Sequence, residues 1–132
     1  IKNIAIQSLK KKPSISIYGN NYKTKDGTCI RDYMHVSDLT DIHIKTLKYI
    51  KTKSKSLTLN CGYGKGYSVL EIIKILKKIK KKLIINYLPK RSGDVEQVYA
   101  DTKKFQEILK WKPKHNNINK IIKSAIKWEM SC

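Results

Sequence analysis

Residues 57–76 read Leu57-Thr58-Leu59-Asn60-Cys61-Gly62-Tyr63-Gly64-Lys65-Gly66-Tyr67-Ser68-Val69-Leu70-Glu71-Ile72-Ile73-Lys74-Ile75-Leu76. Leu57 to Cys61 alternates as a strand does, and the glycines after it mark a turn. Ser68 and Glu71 stand three apart, the spacing at which a hydroxyl and a carboxylate cap each other's backbone N–H groups at a helix start. That start predicts a helix burying Val69, Ile72, Ile73, Leu76 and Ile79, with lysines on the solvated face. Gly62-x-Gly64-x-Gly66 is not the G-x-G-x-x-G spacing of a dinucleotide loop, and no acidic residue stands downstream at the βαβ distance. It reads as a tight turn that lets Ser68 cap the helix.

Working outward, residues 1–11 place Ile1, Ile4, Ala5, Ser8 and Leu9 at helical spacing, and Pro13 closes the segment. Ser14 to Tyr18 predicts a short strand, Gly19-Asn20-Asn21 a turn, and Tyr22 to Thr28 a polar loop; Cys29 to Val36 is extended. Ser37 is placed to N-cap a helix with Asp38 and Asp41 in its first turn and Leu39, Ile42, Leu47 and Ile50 as its apolar stripe. Downstream, Leu83 to Leu88 is a strand ended by Pro89. Asp101 caps a short helix carrying Phe105, Ile108 and Leu109, stopped at Trp111-Lys112-Pro113. A last helix from about Asn117 buries Ile118, Ile121, Ile122, Ala125 and Trp128. With no repeat and no linker, the chain is expected to be one α/β domain. Its strands are too few for a complete doubly wound sheet, so some are expected to complete a layer outside it.

The chain has 132 residues and a formal charge of +19, with 40% hydrophobic residues, enough for a core of its own. Such a field attracts anions, nucleic acid among them. Of the 29 basic residues all but Arg31 and Arg91 are lysine, and Ile and Asn are abundant too. Selection for phosphate and base readout enriches arginine, whereas drift toward A/T-rich codons enriches Lys, Ile and Asn together. The charge is therefore a weak functional signal. Cys29, Cys61 and Cys132 form no metal knuckle or paired framework, which fits a reducing cytoplasm. His35, His43 and His115 lack metal-ligand spacing: His43 reads as a packed side chain on the helix stripe, His35 as a partner for nearby backbone. No apolar run is long enough to span a membrane, and no membrane partner is expected.

The two arginines stand out because a planar guanidinium binds phosphate bidentately where an ammonium cannot. Arg31 lies in Gly27-Thr28-Cys29-Ile30-Arg31-Asp32-Tyr33 and Arg91 in Pro89-Lys90-Arg91-Ser92-Gly93-Asp94. The residues alone leave two readings open. Each arginine pairs with its neighbouring aspartate and fixes a loop, or the two converge on a diphosphate.

The stretch from Ser16-Ile17-Tyr18-Gly19-Asn20-Asn21-Tyr22 through Asp26-Gly27-Thr28-Cys29-Ile30-Arg31-Asp32-Tyr33-Met34-His35-Val36 to Leu39 resembles the UDP-glucose 4-epimerases, of the extended short-chain dehydrogenase/reductase family. The resemblance continues at Leu59 to Val69, at Pro89 to Asp94, at Tyr99-Ala100-Asp101 and at Leu109-Lys110-Trp111-Lys112-Pro113, where Lys110 replaces the usual glycine. It covers essentially the whole chain. It implies the α/β C-terminal substrate-binding lobe of such an enzyme, residues 1–132, with the N-terminal NAD-binding Rossmann domain absent and needed as partner; the start at Ile1, which reads as mid-helix, fits a fragment. By resemblance Ser16, Ile17 and Tyr18 would lie along a uracil, Arg31 and Arg91 would hold the diphosphate, and Asp94 would bond the ribose hydroxyls. Val98 would line the hexose pocket, small enough to leave room for an N-acetyl group.

The implied activity of the intact enzyme is interconversion of UDP-galactose and UDP-glucose by oxidation and reduction at C4 with bound NAD, in a cytoplasmic homodimer. No catalytic and no cofactor residue is expected within this chain, which would be inactive alone. Tyr49 with Lys53 and Tyr99 with Lys103 do spell the family's Tyr-x-x-x-Lys. Eight tyrosines amid so many lysines produce such strings by chance, and the resemblance places neither pair at the catalytic position. Rival readings are another NAD-dependent nucleotide-sugar epimerase or dehydratase, a basic nucleic-acid-binding module working through the lysine faces, and a relic that folds but binds nothing.

Overall fold

The computed structural model describes residues 1–53, 56–80 and 82–132. In chain order it runs α1 (Lys2–Leu9), β1 (Ser14–Tyr18), β2 (Ile30–Asp32), α2 (Val36–Lys53), β3 (Gly66–Ser68), α3 (Val69–Ile79), β4 (Ile84–Leu88), β5 (Gln97–Val98), α4 (Lys103–Leu109) and α5 (Ile118–Ser131). The strands form two small sheets, β1 parallel to β4 and an order β3-β2-β5 in which β2 runs antiparallel to β3 and parallel to β5. The α/β character and the shortage of strands are as the patterning predicts.

The main core gathers Ile15 and Ile17 from β1, Ala5 from α1, Ile72, Ile73 and Leu76 from α3, and Ile118, Ile121, Ile122 and Ile126 from α5. Alternation along β1 sends Ile15 and Ile17 inward and leaves Ser14, Ser16 and Tyr18 on the other face. The capping box forms as the spacing requires: Ser68 accepts from the Glu71 N–H at 3.0 Å and Glu71 accepts from the Ser68 N–H at 2.8 Å. A second cluster packs Ile42 of α2 against Phe105 and Trp111.

Several local expectations fail, each for a visible reason. Leu57 to Cys61 forms no strand and joins no sheet; the segments that pair with β2 are β3 and β5, too short to show a period. On α2 only Ile42 of the expected stripe is buried, while Leu39, Leu47 and Ile50 are exposed, because that helix touches the rest of the lobe chiefly through its first turns. His43 is exposed on the same helix, its ring bonded to the Leu39 carbonyl. The helix also starts two residues early, at Val36, with His35 rather than Ser37 at its head: the Ser37 N–H donates to His35 Nδ1 at 3.1 Å. Trp128 is 68% exposed, since α5 buries Ile118, Ile121, Ile122 and Ile126 instead. Asp101 does bond the Lys103 N–H at 3.1 Å and so serves the start of α4.

Candidate functional site

Residues 89–96 connect the two sheets, and this decides where the arginines sit. The parallel register of β1 and β4 sets Tyr18 opposite Leu88, and the Gly19 N–H donates to the Leu88 carbonyl at 2.8 Å. The chain then turns, with the Asp94 N–H on the Arg91 carbonyl at 3.3 Å and Gly93 at φ 79°, a left-handed conformation that glycine adopts without a Cβ penalty. It enters the second sheet where the Ile30 N–H donates to the Glu96 carbonyl at 2.9 Å, which puts Arg31 beside Val98. A segment far from β1 and β2 in sequence thus lies against both.

Arg91 turns back over β1. Its guanidinium carbon stands 3.5 Å from the centroid of the Tyr18 ring, a cation–π contact. Arg31 donates to its neighbour's carbonyl, Ile30 O, at 2.8 Å and lies 3.8 Å from the Asp94 carboxylate. Neither arginine pairs with the aspartate nearest it in sequence. Asp32 is engaged by backbone N–H groups, and Asp94 faces Arg31 rather than Arg91. Both side chains of the Arg31–Asp94 pair are about one-third exposed (29% and 32%). A pair so wet and so long contributes no more than about 1 kcal/mol. The guanidinium is held in place without being committed to its carboxylate.

Two concavities flank this segment. One, of about 390 Å³, is lined by Ser14, Ser16, Tyr18 and Arg91 together with Asn3, Ile4, Gln7 and Ile15. The other, of about 400 Å³, is lined by Arg31, Val98 and Tyr99 with Asp32, Leu59, Asn60, Cys61 and Ala100. The anticipated set is therefore divided: Ser16, Tyr18 and Arg91 share the first, Arg31 and Val98 the second, Asp94 links them through Arg31, and Ile17 is buried in the core. Sequence reading missed Asn3 and Gln7, although their i, i+4 spacing on one helix was there to be seen. It also missed Asn60 and Cys61, which no local pattern distinguishes.

The Gly-rich turn is occupied by protein. The Asp32 carboxylate accepts from the Tyr63 N–H at 3.0 Å and the Gly64 N–H at 2.9 Å. A Cβ on Gly62 would strike the same carboxylate and Ala100. Backbone N–H groups that hold a carboxylate cannot cradle a pyrophosphate, so this turn does not fit NAD. Beside the same connecting segment, within the influence of Arg31 and Asp94, Tyr22 is buried beneath Lys90, whose ammonium lies 4.2 Å from the ring, and its hydroxyl has no hydrogen-bond partner among the described residues. Gly19, at φ 81°, makes room for that ring: a Cβ there would collide with it.

A polar network braces the site from behind. Buried Asp38 accepts from the Tyr63 hydroxyl at 2.7 Å and from the N–H groups of His115 at 2.9 Å and Lys114 at 3.3 Å. Burial alone would raise its pKa, but those donors outweigh burial and hold it below the usual carboxylate value. The Tyr63 hydroxyl is pushed well up, first by burial and then by its bond to Asp38. Among the described residues no cluster of His, Cys, Asp or Glu could hold a metal ion, and no helix is long and apolar enough to cross a membrane.

The profile of the GDP-mannose 4,6 dehydratase family matches residues 1–124. The chain belongs to that family. Within it, the chain is 41% identical over 130 residues to UDP-glucose 4-epimerase of Azospirillum brasilense, covering 97% of this chain and 37% of that enzyme. It is 42% identical over 118 residues to UDP-arabinose 4-epimerase 1 of Arabidopsis thaliana, covering 89% of the chain and 28% of the relative. Among solved structures, UDP-glucose-4-epimerase from Stenotrophomonas maltophila, with bound NAD and formylated UDP-arabinopyranose, superposes with a TM-score of 0.88 at 32% identity, over 97% of this chain and 38% of that one. The UDP-Glc/GlcNAc 4-epimerase of Campylobacter jejuni gives 0.86 at 38% identity, over 99% and 40%. The lobe thus spans well under half the length of these family members, as the resemblance to one portion of an epimerase implied.

Proposed function

We propose that this lobe forms the UDP-sugar-binding part of a nucleotide-sugar 4-epimerase, which interconverts UDP-galactose and UDP-glucose when joined to a part that supplies NAD and the catalytic base. Ser16, Ile17 and Tyr18 lie along the uracil and read it through main-chain groups, the Ile17 side chain staying in the core; Arg31 and Arg91 take the diphosphate and Asp94 the ribose, and Val98 borders the hexose. NAD, when bound, would supply the hydride chemistry at C4. The residues of this chain bind and orient the substrate, and the lobe alone is inactive.

The observation that carries the reading is the segment 89–96, which brings Arg91 over Tyr18 and Asp94 against Arg31. A molecule with only two guanidinium groups has them on one short connection and its neighbouring strand. Both are held by weak contacts that a phosphate can outcompete. Titration of the chain with UDP tests it. Arg91→Lys should weaken binding by about 1.5–3 kcal/mol, the worth of a charge-assisted hydrogen bond, and unchanged affinity at moderate salt would overturn the phosphate role. The nucleic-acid reading predicts instead binding that is steep in salt and indifferent to UDP.

Val98 supports a finer statement. It is half-exposed at the wall of the second concavity, and a small side chain there leaves space for an acetamido group at the sugar's C2. The intact enzyme should therefore accept UDP-N-acetylglucosamine as well.

A further inference from the structure

We infer that Asn3 and Gln7 of α1 are base-recognising residues, contacting the hydrogen-bonding edge of a pyrimidine nucleotide held in the first concavity. This rests on the placement of the nucleotide proposed above and adds to it a wall that the strand residues alone do not supply.

The two side chains stand one helical turn apart and line the same cavity as Ser14, Ser16, Tyr18 and Arg91. Helix α1 is fixed there by Ala5 and Ser8, which it buries toward α5 and β1. The opposite wall is the outward face of β1, where Ser14 is already bonded by the Asn86 amide at 2.8 Å. Among the described residues, the one side-chain hydrogen bond made by α1 is that of Ser8 to the Ala5 carbonyl, at 2.7 Å. Both amides are thus open to a ligand.

The chemistry matches a base better than a phosphate. A carboxamide carries a donor and an acceptor side by side, the arrangement with which Asn and Gln read nucleobase edges. The imide edge of uracil offers an N–H between two carbonyls. An amide can accept from the first and donate to either of the others. Arg91, which lines the same cavity, supplies positive charge for the phosphates beyond the ribose. The volume of about 390 Å³ lies within the range of small-ligand sites.

The test is an NMR titration of the isotope-labelled full chain, and of its Gln7→Met and Asn3→Leu variants, with UDP and separately with inorganic pyrophosphate. Both substitutions keep approximate size and remove the amide from a surface helix. The Gln7 side-chain NH₂ signals should move with UDP and stay still with pyrophosphate. The Gln7→Met chain should bind UDP about three- to tenfold more weakly, as expected for one lost hydrogen bond, with pyrophosphate binding unaltered. UDP binding that shifts Arg91 and Tyr18 but is unchanged in both variants would overturn the inference while leaving the proposed function standing. Failure of UDP to perturb Arg91 or Tyr18 at all would overturn both.

Discussion

The imidazoles of His35 and His115 stack with their centroids 4.6 Å apart and their planes 24° from parallel, beside the Asp38 network. The pair joins the head of α2 to the loop before α5. Burial first, then the charge of His115, disfavours protonation of His35, while Asp38 opposes them; the net pKa of His35 is lowered. The folded lobe therefore prefers a neutral ring. Its contribution is fully present above the unfolded value of about 6.5 and is lost as pH falls through that value toward the lower folded one. Urea midpoints measured at pH 8 and pH 5.5 should fall with acidity, and fall less in His35→Gln. An equal drop in the variant would show that the pair is not responsible.

Asp38 offers a larger effect. Asp38→Ala strands the Tyr63 hydroxyl and two backbone donors in the interior. Loss of a charged acceptor with several partners should cost about 3 kcal/mol. Asp41→Ala, which strands only the Trp111 indole N–H, should cost less than half of that. Equilibrium denaturation of the two variants decides it.

The start of α3 is a second structural test. Ser68 accepts from the Glu71 N–H and its hydroxyl donates to Asp26 of the polar loop. Ser68→Ala should destabilise by about 1–2 kcal/mol, and hydrogen exchange should accelerate in the first turn of α3 and in residues 24–28 together. Exchange confined to α3 would show that the loop is anchored by something else.

On α2 the burial pattern predicts a sharp contrast. Ile42→Ala should cost about 2–4 kcal/mol because it opens a hole against Phe105 and Trp111. Leu47→Lys, at a position 56% exposed, should stay within about 0.5 kcal/mol. Similar losses from both, in the same denaturation assay, would mean that the exposed stripe is covered in solution.

For sugar choice, Val98→Tyr should narrow the second concavity. In the intact enzyme it should lower kcat/KM for the N-acetylated UDP-sugar at least about tenfold more than for UDP-glucose, the discrimination that a filled apolar pocket can supply. Equal effects on the two substrates would remove Val98 from the sugar pocket.

Much of the lobe was legible because its signals are local. The capping box at Ser68 and Glu71, the alternation of Ile15 and Ile17, and the stripe of α5 up to Ile122 depend on residues within a few positions of one another. What failed depended on partners distant in sequence. Leu47 and Ile50 have the right period but stay exposed, and Trp128 lies past the end of the packed face. The site divides in the same way. Rarity marked Arg31 and Arg91, but nothing local could say that Asp94 faces Arg31, or that a tyrosine ring lies under Arg91.

The Asp32 carboxylate touches backbone at Tyr63, Gly64 and, at 3.5 Å, Ala100. Three stretches widely separated along the polypeptide therefore share one staple. A protease that nicks the exposed Lys65 would slacken all of them at once, and the wall of the second concavity would go with them. Resistance to trypsin at that bond is consequently a direct gauge of whether this wall is intact.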